Sequence, residues 1–222
     1  MLLPNLEPIG TGSYLPQQRV KTREFEGRRM WAYDKNEQRV GDARVFTAPQ
    51  IVGVTGIEER RKSRQDEWPS DMAYLAALAA LEDAKIGPDK LVGIVFSTVS
   101  ERRNFPSAAV KTQHRLGARN VQYAFDLQNA CAGYPLAIDV ANSKSRDCPG
   151  YWLAIASEVL TKINDCDDMN SHLFGDGAGA VVLAPATNGK GVVACYSRSE
   201  PFDDQIDMIF RGSVIDCIRM PE

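Results

Sequence analysis

Ala124-Phe125-Asp126-Leu127-Gln128-Asn129-Ala130-Cys131-Ala132-Gly133-Tyr134 is the stretch that decides how this chain is read. The apolar run 121–127 stops at the polar pair Gln128-Asn129, and a cysteine follows among small residues. Beyond it, Leu136, Ala137, Ile138, Val140 and Ala141 recur at helical spacing. The pattern predicts a strand, a tight turn carrying Cys131, and a buried helix. A thiol at a helix N-terminus meets the positive end of the macrodipole and free backbone N–H groups. Both favour the thiolate, which is the nucleophilic form. The alternative is a buried structural cysteine, which is inert and behaves as a small hydrophobe. Tyr134-Pro135 predicts that the helix starts late or kinks, because proline past the first turn removes a hydrogen bond.

Working outward, the 222 residues are 44% hydrophobic and 25% charged, an ordinary balance for a globular chain. The net charge of −3 gives no footprint for nucleic acid. Glu58-Glu59-Arg60-Arg61-Lys62 and Glu101-Arg102-Arg103 are mixed or short runs that read as solvated loops. No stretch approaches the ~18 apolar residues of a membrane span, so no membrane partner is expected. Met1-Leu2-Leu3-Pro4 does not open a signal peptide. The five cysteines (131, 148, 166, 195 and 217) form no CxxC pair, which fits a reducing cytoplasm rather than a disulfide framework. His114 and His172 are the only histidines, so a multi-histidine metal site is excluded and no cofactor is expected.

Alternating elements predict an α/β fold with a mainly parallel core sheet. Ile9 to Leu15 reads as a short strand and turn, and 21–49 as an irregular surface insertion with modest helix. Met72, Leu75, Ala76, Ala79 and Ala80 mark a helix over 69–86, stopped by Gly87-Pro88. Buried strands are expected at 91–98, 121–127, 151–157 and 178–184, with helices at 106–116 and 135–144. A further strand at 191–196 would pair with 178–184 in a hairpin around Asn188-Gly189.

Several segments together resemble one family. Thr55-Gly56-Ile57-Glu58-Glu59-Arg60, Asn104-Phe105-Pro106-Ser107-Ala108-Ala109, the Phe125–Gly133 cysteine stretch, Ser157-Glu158-Val159-Leu160 and Phe174-Gly175-Asp176-Gly177-Ala178-Gly179-Ala180 follow in that order. This order and spacing resembles the N-terminal half of 3-oxoacyl-[acyl-carrier-protein] synthase III, from about Ile9 to about Tyr196. The resemblance implies a thiolase-like α/β fold: a mixed sheet with a buried nucleophile helix, the C-terminal half being absent. One domain over 1–222 is expected, with 202–222 as a tail.

The resemblance also implies a function. Cys131 takes an acyl group from a thioester, on coenzyme A or on an acyl carrier protein. A malonyl-carrier thioester then decarboxylates, and its carbanion attacks the acyl-cysteine. The Cys131 N–H contributes to an oxyanion hole, where preorganised donors are worth several kcal/mol. Phe105 matches a position that reaches into the partner subunit's acyl pocket, which implies a homodimer. Leu160 and Phe174 match positions near that pocket, with plain core packing as the other reading. The glycines of 175–179 are read as tight turns rather than a phosphate loop.

The family's catalytic histidine and asparagine lie in C-terminal segments that these residues do not match. Neither His114 nor His172 matches the catalytic position, and both are read as structural. A fragment, a split enzyme and an inactive relative therefore remain open. One half alone would expose an apolar face, which 202–220 is apolar enough to cover in part. In the family, an aromatic ring and an arginine hold the adenine of coenzyme A, and a further arginine precedes the Phe174–Ala180 motif; the matching positions here are Gln50, Val54 and Asp168. Those losses point toward a carrier-borne donor. The alternatives are a non-catalytic or split half-subunit pairing with a homologous chain, and a cysteine acyltransferase with an amine or alcohol acceptor.

Overall fold

The computed structural model describes residues 5–34, 38–187 and 190–198. These fall into two compact units. The first, built from 1–15, 66–158 and 177–197, holds a five-stranded sheet in the order β1-β9-β8-β6-β7. Its strands are β1 (Leu6–Tyr14), β6 (Leu91–Ser97), β7 (Tyr123–Leu127), β8 (Tyr151–Val159) and β9 (Asp176–Pro185). Strand β6 runs parallel to both β7 and β8, while β1 and β9 pair antiparallel. The sheet is mixed, as expected.

Helix α4 (Gly133–Lys144) packs on one face, where Ala137 and Ala141 join a core of Leu6, Val95, Trp152, Ala154, Val181 and Leu183. Asn142 on this helix accepts a hydrogen bond from the Leu6 N–H (2.8 Å) and so fixes the start of β1. Helix α2 (Pro69–Ala84) lies against β1, and helix α3 (Ala108–Leu116) follows β6. A side chain could not fit where β1 meets α2. A Cβ at Gly10 would stand 2.6 Å from both the Ala80 carbonyl oxygen and the Ala84 methyl. One at Gly12 would overlap the Ala76 oxygen and the Ala80 nitrogen, and stand 2.9 Å from the Ala79 carbonyl carbon. Glycine facing alanine lets backbone meet backbone, which explains why the helix shows so many alanines.

The second unit comprises 16–65, 159–176 and 198–222. It contains two hairpin-sized sheets, β2 (Gln18–Lys21) with β5 (Glu59–Lys62), and β3 (Arg29–Tyr33) with β4 (Arg39–Val45). Short helices α1 (Ala48–Thr55) and α5 (Leu160–Ile163) complete it. Segment 21–49 contains the modest helix expected, in a 3-10 turn at Thr22–Phe25 and the start of α1, but it also carries strands β3 and β4, where Met30 is fully buried. The charged run at 59–62 is a strand too, with Arg60 buried over the Phe25 ring at 4.6 Å.

Other boundaries shift. Helix α2 stops at Lys85, which takes the left-handed conformation (φ 56°) before Gly87-Pro88 is reached. Residues 191–198 form no strand; β9 finds its antiparallel partner in β1, and the chain at Val192 donates a single hydrogen bond to the Leu6 carbonyl (2.9 Å). The turn at Asn188-Gly189 and the tail at 202–222 lie outside the described residues. Among the described residues, no helix is long and apolar enough to cross a membrane.

The β1–α2 approach gives a direct test. Gly12→Ala should push α2 off the strand and cost about 1–3 kcal/mol, the usual range for overpacking. Urea denaturation of the two proteins measures it, and an unchanged midpoint would contradict the close approach.

Candidate active site

Cys131 occupies a single 3-10 turn, Ala130–Ala132, between the end of β7 and the start of α4. The turn is made by Ala130, whose φ of 41° is left-handed and uncommon for a residue with a Cβ. Asn129 then accepts the Ala132 N–H at 3.2 Å. The thiol is exposed. Helix α4 begins at Gly133, earlier than expected, with Pro135 in its first turn. There an N–H has no intrahelical acceptor anyway, so the proline costs no hydrogen bond. No side chain caps this N-terminus.

The helix is less buried than anticipated. Gly133, Ala137, Ala141 and Asn142 are buried, while Leu136, Ile138 and Val140 remain half-exposed. Its small residues touch the sheet and its larger ones flank the contact. Gly133 is the closest point: a Cβ there would collide with the Ser97 hydroxyl, so only glycine lets the helix start directly over the end of β6.

Beyond β6, residues 98–100 are held by Glu158 at the end of β8. Its carboxylate accepts from the Thr98 hydroxyl (3.1 Å), the Val99 N–H (2.9 Å) and the Ser100 hydroxyl. Burial pushes the Glu158 pKa above the usual carboxylate value, and these hydrogen bonds pull against that shift. Asp126 in β7 binds the first N–H groups of α3, from Ala108 (2.7 Å) and Ala109 (2.8 Å). Burial raises its pKa as well, with the two backbone bonds opposing. Beside these carboxylates lies a polar cleft of about 280 Å³, lined by Thr98, Glu101, Asn104, Ser107, Asp126 and Gln128 among others. Phe105 stands on the same loop as Asn104 and Ser107, and is 87% exposed.

The remaining predicted residues belong to the second unit. Leu160 opens α5 and is half-buried; Phe174 follows a 3-10 turn at Ser171–Leu173 and is also half-buried. The structure thus brings Cys131 and Phe105 into one unit, and Leu160 and Phe174 into the other. Asp176 organises that second group. Its buried carboxylate accepts from the N–H and hydroxyl of Ser63 (2.8 and 2.7 Å) and from the N–H and hydroxyl of Thr161 (2.9 and 2.7 Å). Asp126, Glu158 and Asp176 each stood inside a motif picked out in the sequence. They were overlooked because a lone carboxylate does not reveal which distant N–H groups it will accept.

His114 sits exposed in the last turn of α3. His172 is half-buried, and burial together with the nearby Arg60 charge lowers its pKa.

Comparison with known proteins gives a consistent answer. The profile described as 3-oxoacyl-[acyl-carrier-protein (ACP)] synthase III matches residues 125–201. The beta-ketoacyl-[acyl-carrier-protein] synthase III of Laribacter hongkongensis is 37% identical over 201 residues, covering 89% of this chain and 57% of the relative. That of Geobacillus kaustophilus is 43% identical over 142 residues, covering 63% of this chain and 46% of the relative. Among solved structures, the synthase III of Aquifex aeolicus superposes with a TM-score of 0.69 at 32% identity, over 82% of this chain and 55% of that one. The priming beta-ketosynthase of the R1128 polyketide pathway gives 0.71 at 30% identity, over 85% and 52%. Over most of its length the chain is similar to the 3-oxoacyl-[acyl-carrier-protein] synthase III enzymes. Its fold is accordingly thiolase-like. The chain spans about half the length of the synthase III relatives it matches.

Three synthase III positions singled out in the sequence have other occupations here. Gln50 is spent on a capping box: its side chain accepts from the Thr47 N–H (2.9 Å), and the Thr47 hydroxyl accepts the Gln50 N–H (3.4 Å). Val54 is 89% exposed on α1. Asp168 is buried, and its carboxylate accepts the Asn170 N–H (2.6 Å).

The raised Glu158 pKa has a pH consequence. Folding favours the protonated acid, so this group's contribution to stability is largest below its ordinary value of 4.5. That contribution is lost as pH rises through the raised folded value. Glu158→Gln should remove this component, so the stability difference between variant and wild type should change across that window and be flat above it. Urea titrations at a series of pH values test this, and a pH-independent difference would contradict it.

Proposed function

We propose that this chain carries the nucleophile of an acyl-thioester condensing enzyme, with Cys131 as that nucleophile. The observation that carries the reading is the exposed thiol on the 3-10 turn between β7 and α4, presented by the left-handed Ala130. The Cys131 sulfur attacks the carbonyl of an acyl thioester, and the donor's thiol leaves with a proton. The resulting S-acyl-cysteine is then attacked by the carbanion formed when a malonyl-carrier thioester loses carbon dioxide. The new carbon–carbon bond expels the Cys131 thiolate and releases a 3-oxoacyl thioester.

Leu160 and Phe174 are proposed to border the acyl chain, and Phe105 to enter the acyl pocket of a second subunit in a homodimer. The exposure of Phe105 supports that role, since a large apolar side chain standing in solvent is characteristic of an interaction site. The reading takes the general base and the asparagine from a further segment or from a homologous chain. Carrier-borne donors fit it better than coenzyme A, because Gln50, Val54 and Asp168 offer neither a ring nor a cation.

A second reading has its own observation. The half-exposed Leu136, Ile138 and Val140 on α4 suit a half-subunit that docks on a homologous chain without turning over substrate. A third, transfer to an amine or alcohol, would form product without carbon dioxide.

Incubation with acyl thioesters followed by denaturing intact-mass measurement separates these. The condensing reading expects an acyl adduct that maps to Cys131 and disappears entirely in Cys131→Ala, with carbon dioxide released once malonyl carrier is added. Absence of any adduct in the natural assembly would sink it in favour of the half-subunit reading.

A further inference from the structure

The turn that presents Cys131 has little to hold it from within. Ala130 takes a φ of 41°, a strained conformation for a residue with a Cβ, and such strain persists only where the surroundings over-determine it. The side chain of Asn129 does not cap the 3-10 turn, and no side chain caps α4. The bonds across the turn run between close neighbours, from the Ala132 N–H to the Asn129 carbonyl (3.2 Å) and from the Gly133 N–H to the Ala130 carbonyl.

The restraint comes from the end of β6. Ser97, its last residue, and Thr98 after it meet both ends of the turn. The Thr98 N–H donates to the Leu127 carbonyl (3.0 Å), where β7 hands the chain on. The Ser97 hydroxyl lies where a Cβ on Gly133 would have to stand. Thr98 is held in turn by Glu158. Its hydroxyl donates to the carboxylate (3.1 Å) and accepts the Ser100 N–H (3.3 Å). The Val99 N–H and the Ser100 hydroxyl donate to the same carboxylate. A carboxylate taken out of water is tolerable only while its donors stay in place, so residues 98–100 form a stiff support.

We propose that Glu158 is a positioning residue for acyl transfer at Cys131: through Thr98 it fixes the end of β7, and with it the orientation in which the thiol is presented. The inference rests on Cys131 as the nucleophile, the reading of the preceding section. The Glu158 carboxylate is spent on residues 98–100, so it acts through Thr98 rather than on a substrate. Reacting groups need such outer support, because a displacement of about 1 Å can cost about a hundredfold in rate.

The test follows acylation of Cys131 in the natural assembly by a small N-acetylcysteamine thioester, over a range of thioester concentrations, with intact-mass detection. Glu158→Ala and the milder Thr98→Val should each lower the maximal rate by about tenfold or more and leave the half-saturating concentration near that of wild type. Thr98→Ser, which keeps the hydroxyl, should recover most of the rate lost in Thr98→Val. Glu158→Ala combined with Thr98→Val should cost little more than either alone, because both break one link. Alkylation of Cys131 by iodoacetamide, which needs only an accessible thiolate, should slow far less than acylation. Hydrogen–deuterium exchange should quicken across 128–133 in both single variants and stay unchanged in α2, the control for folding. Unchanged exchange across 128–133 in both would overturn the proposal, whatever happens to the rate. Additive losses in the double variant would also overturn it. So would equal losses of acylation and alkylation, which would assign the effect to ionisation of the thiol. A wild type that forms no adduct, with faster exchange at the turn in the variants, would remove the acyl-transfer reading and keep the link from Glu158 to the turn.

Discussion

Strand β6 hydrogen-bonds in parallel to β7 on one side and to β8 on the other, and this arrangement sets where the chemistry can lie. Parallel neighbours finish at the same end of a sheet. The end of β7 delivers Cys131, the end of β6 delivers the Thr98–Ser100 loop, and the end of β8 delivers Glu158. Side chains far apart in sequence therefore share one rim, and the carboxyl ends of parallel strands are where α/β proteins usually bind ligands. The sheet can only be covered closely there because Gly133 and the alanines of α4 take up so little room.

Buried and half-buried carboxylates then do for the loops what the backbone ladder does for the strands. Asp126 satisfies the N-terminal N–H groups of α3, Glu158 gathers the loop after β6, and Asp176 joins Ser63 to Thr161. Each replaces lost hydration with several donors, the condition under which a buried acid is tolerable. A partly satisfied carboxylate would be costly, so these three also hold their neighbours to single conformations.

Much of the first unit was legible in the sequence. Helix α2 announced itself through alanine periodicity, β6 and β8 through short apolar runs, and the cysteine turn through the change from strand to helical spacing. The second unit was not, because its strands are short and charged, and β2 pairs with β5 at long range. Glu59–Lys62 looks like a solvated run until Gln18–Lys21 comes alongside and Arg60 is covered by Phe25. The position of Cys131 could be read, whereas its exposure could not. That depends on the left-handed Ala130, and nothing about an alanine signals such a φ. The strand at 191–196 was an error of partner choice: periodicity identifies a segment able to form a strand, but not that β1 has already taken the edge of β9.

The irregularity in β1 between Pro8 and Gly10 has a wider meaning. Before it, Leu6 points into the core beneath α4; after it, Gly10 and Gly12 point toward α2. One extra residue changes which side of the strand the even-numbered positions occupy. A single strand thus supplies a large apolar group to one helical layer and bare backbone to the opposite layer. The pairing register of this segment is consequently under tighter restraint than its chemistry. Replacing one apolar residue by another changes a contact, whereas pairing Ile9 in a regular ladder would put Leu6 and Gly10 on the same face, so that either leucine would meet the alanine helix or glycine would meet the core.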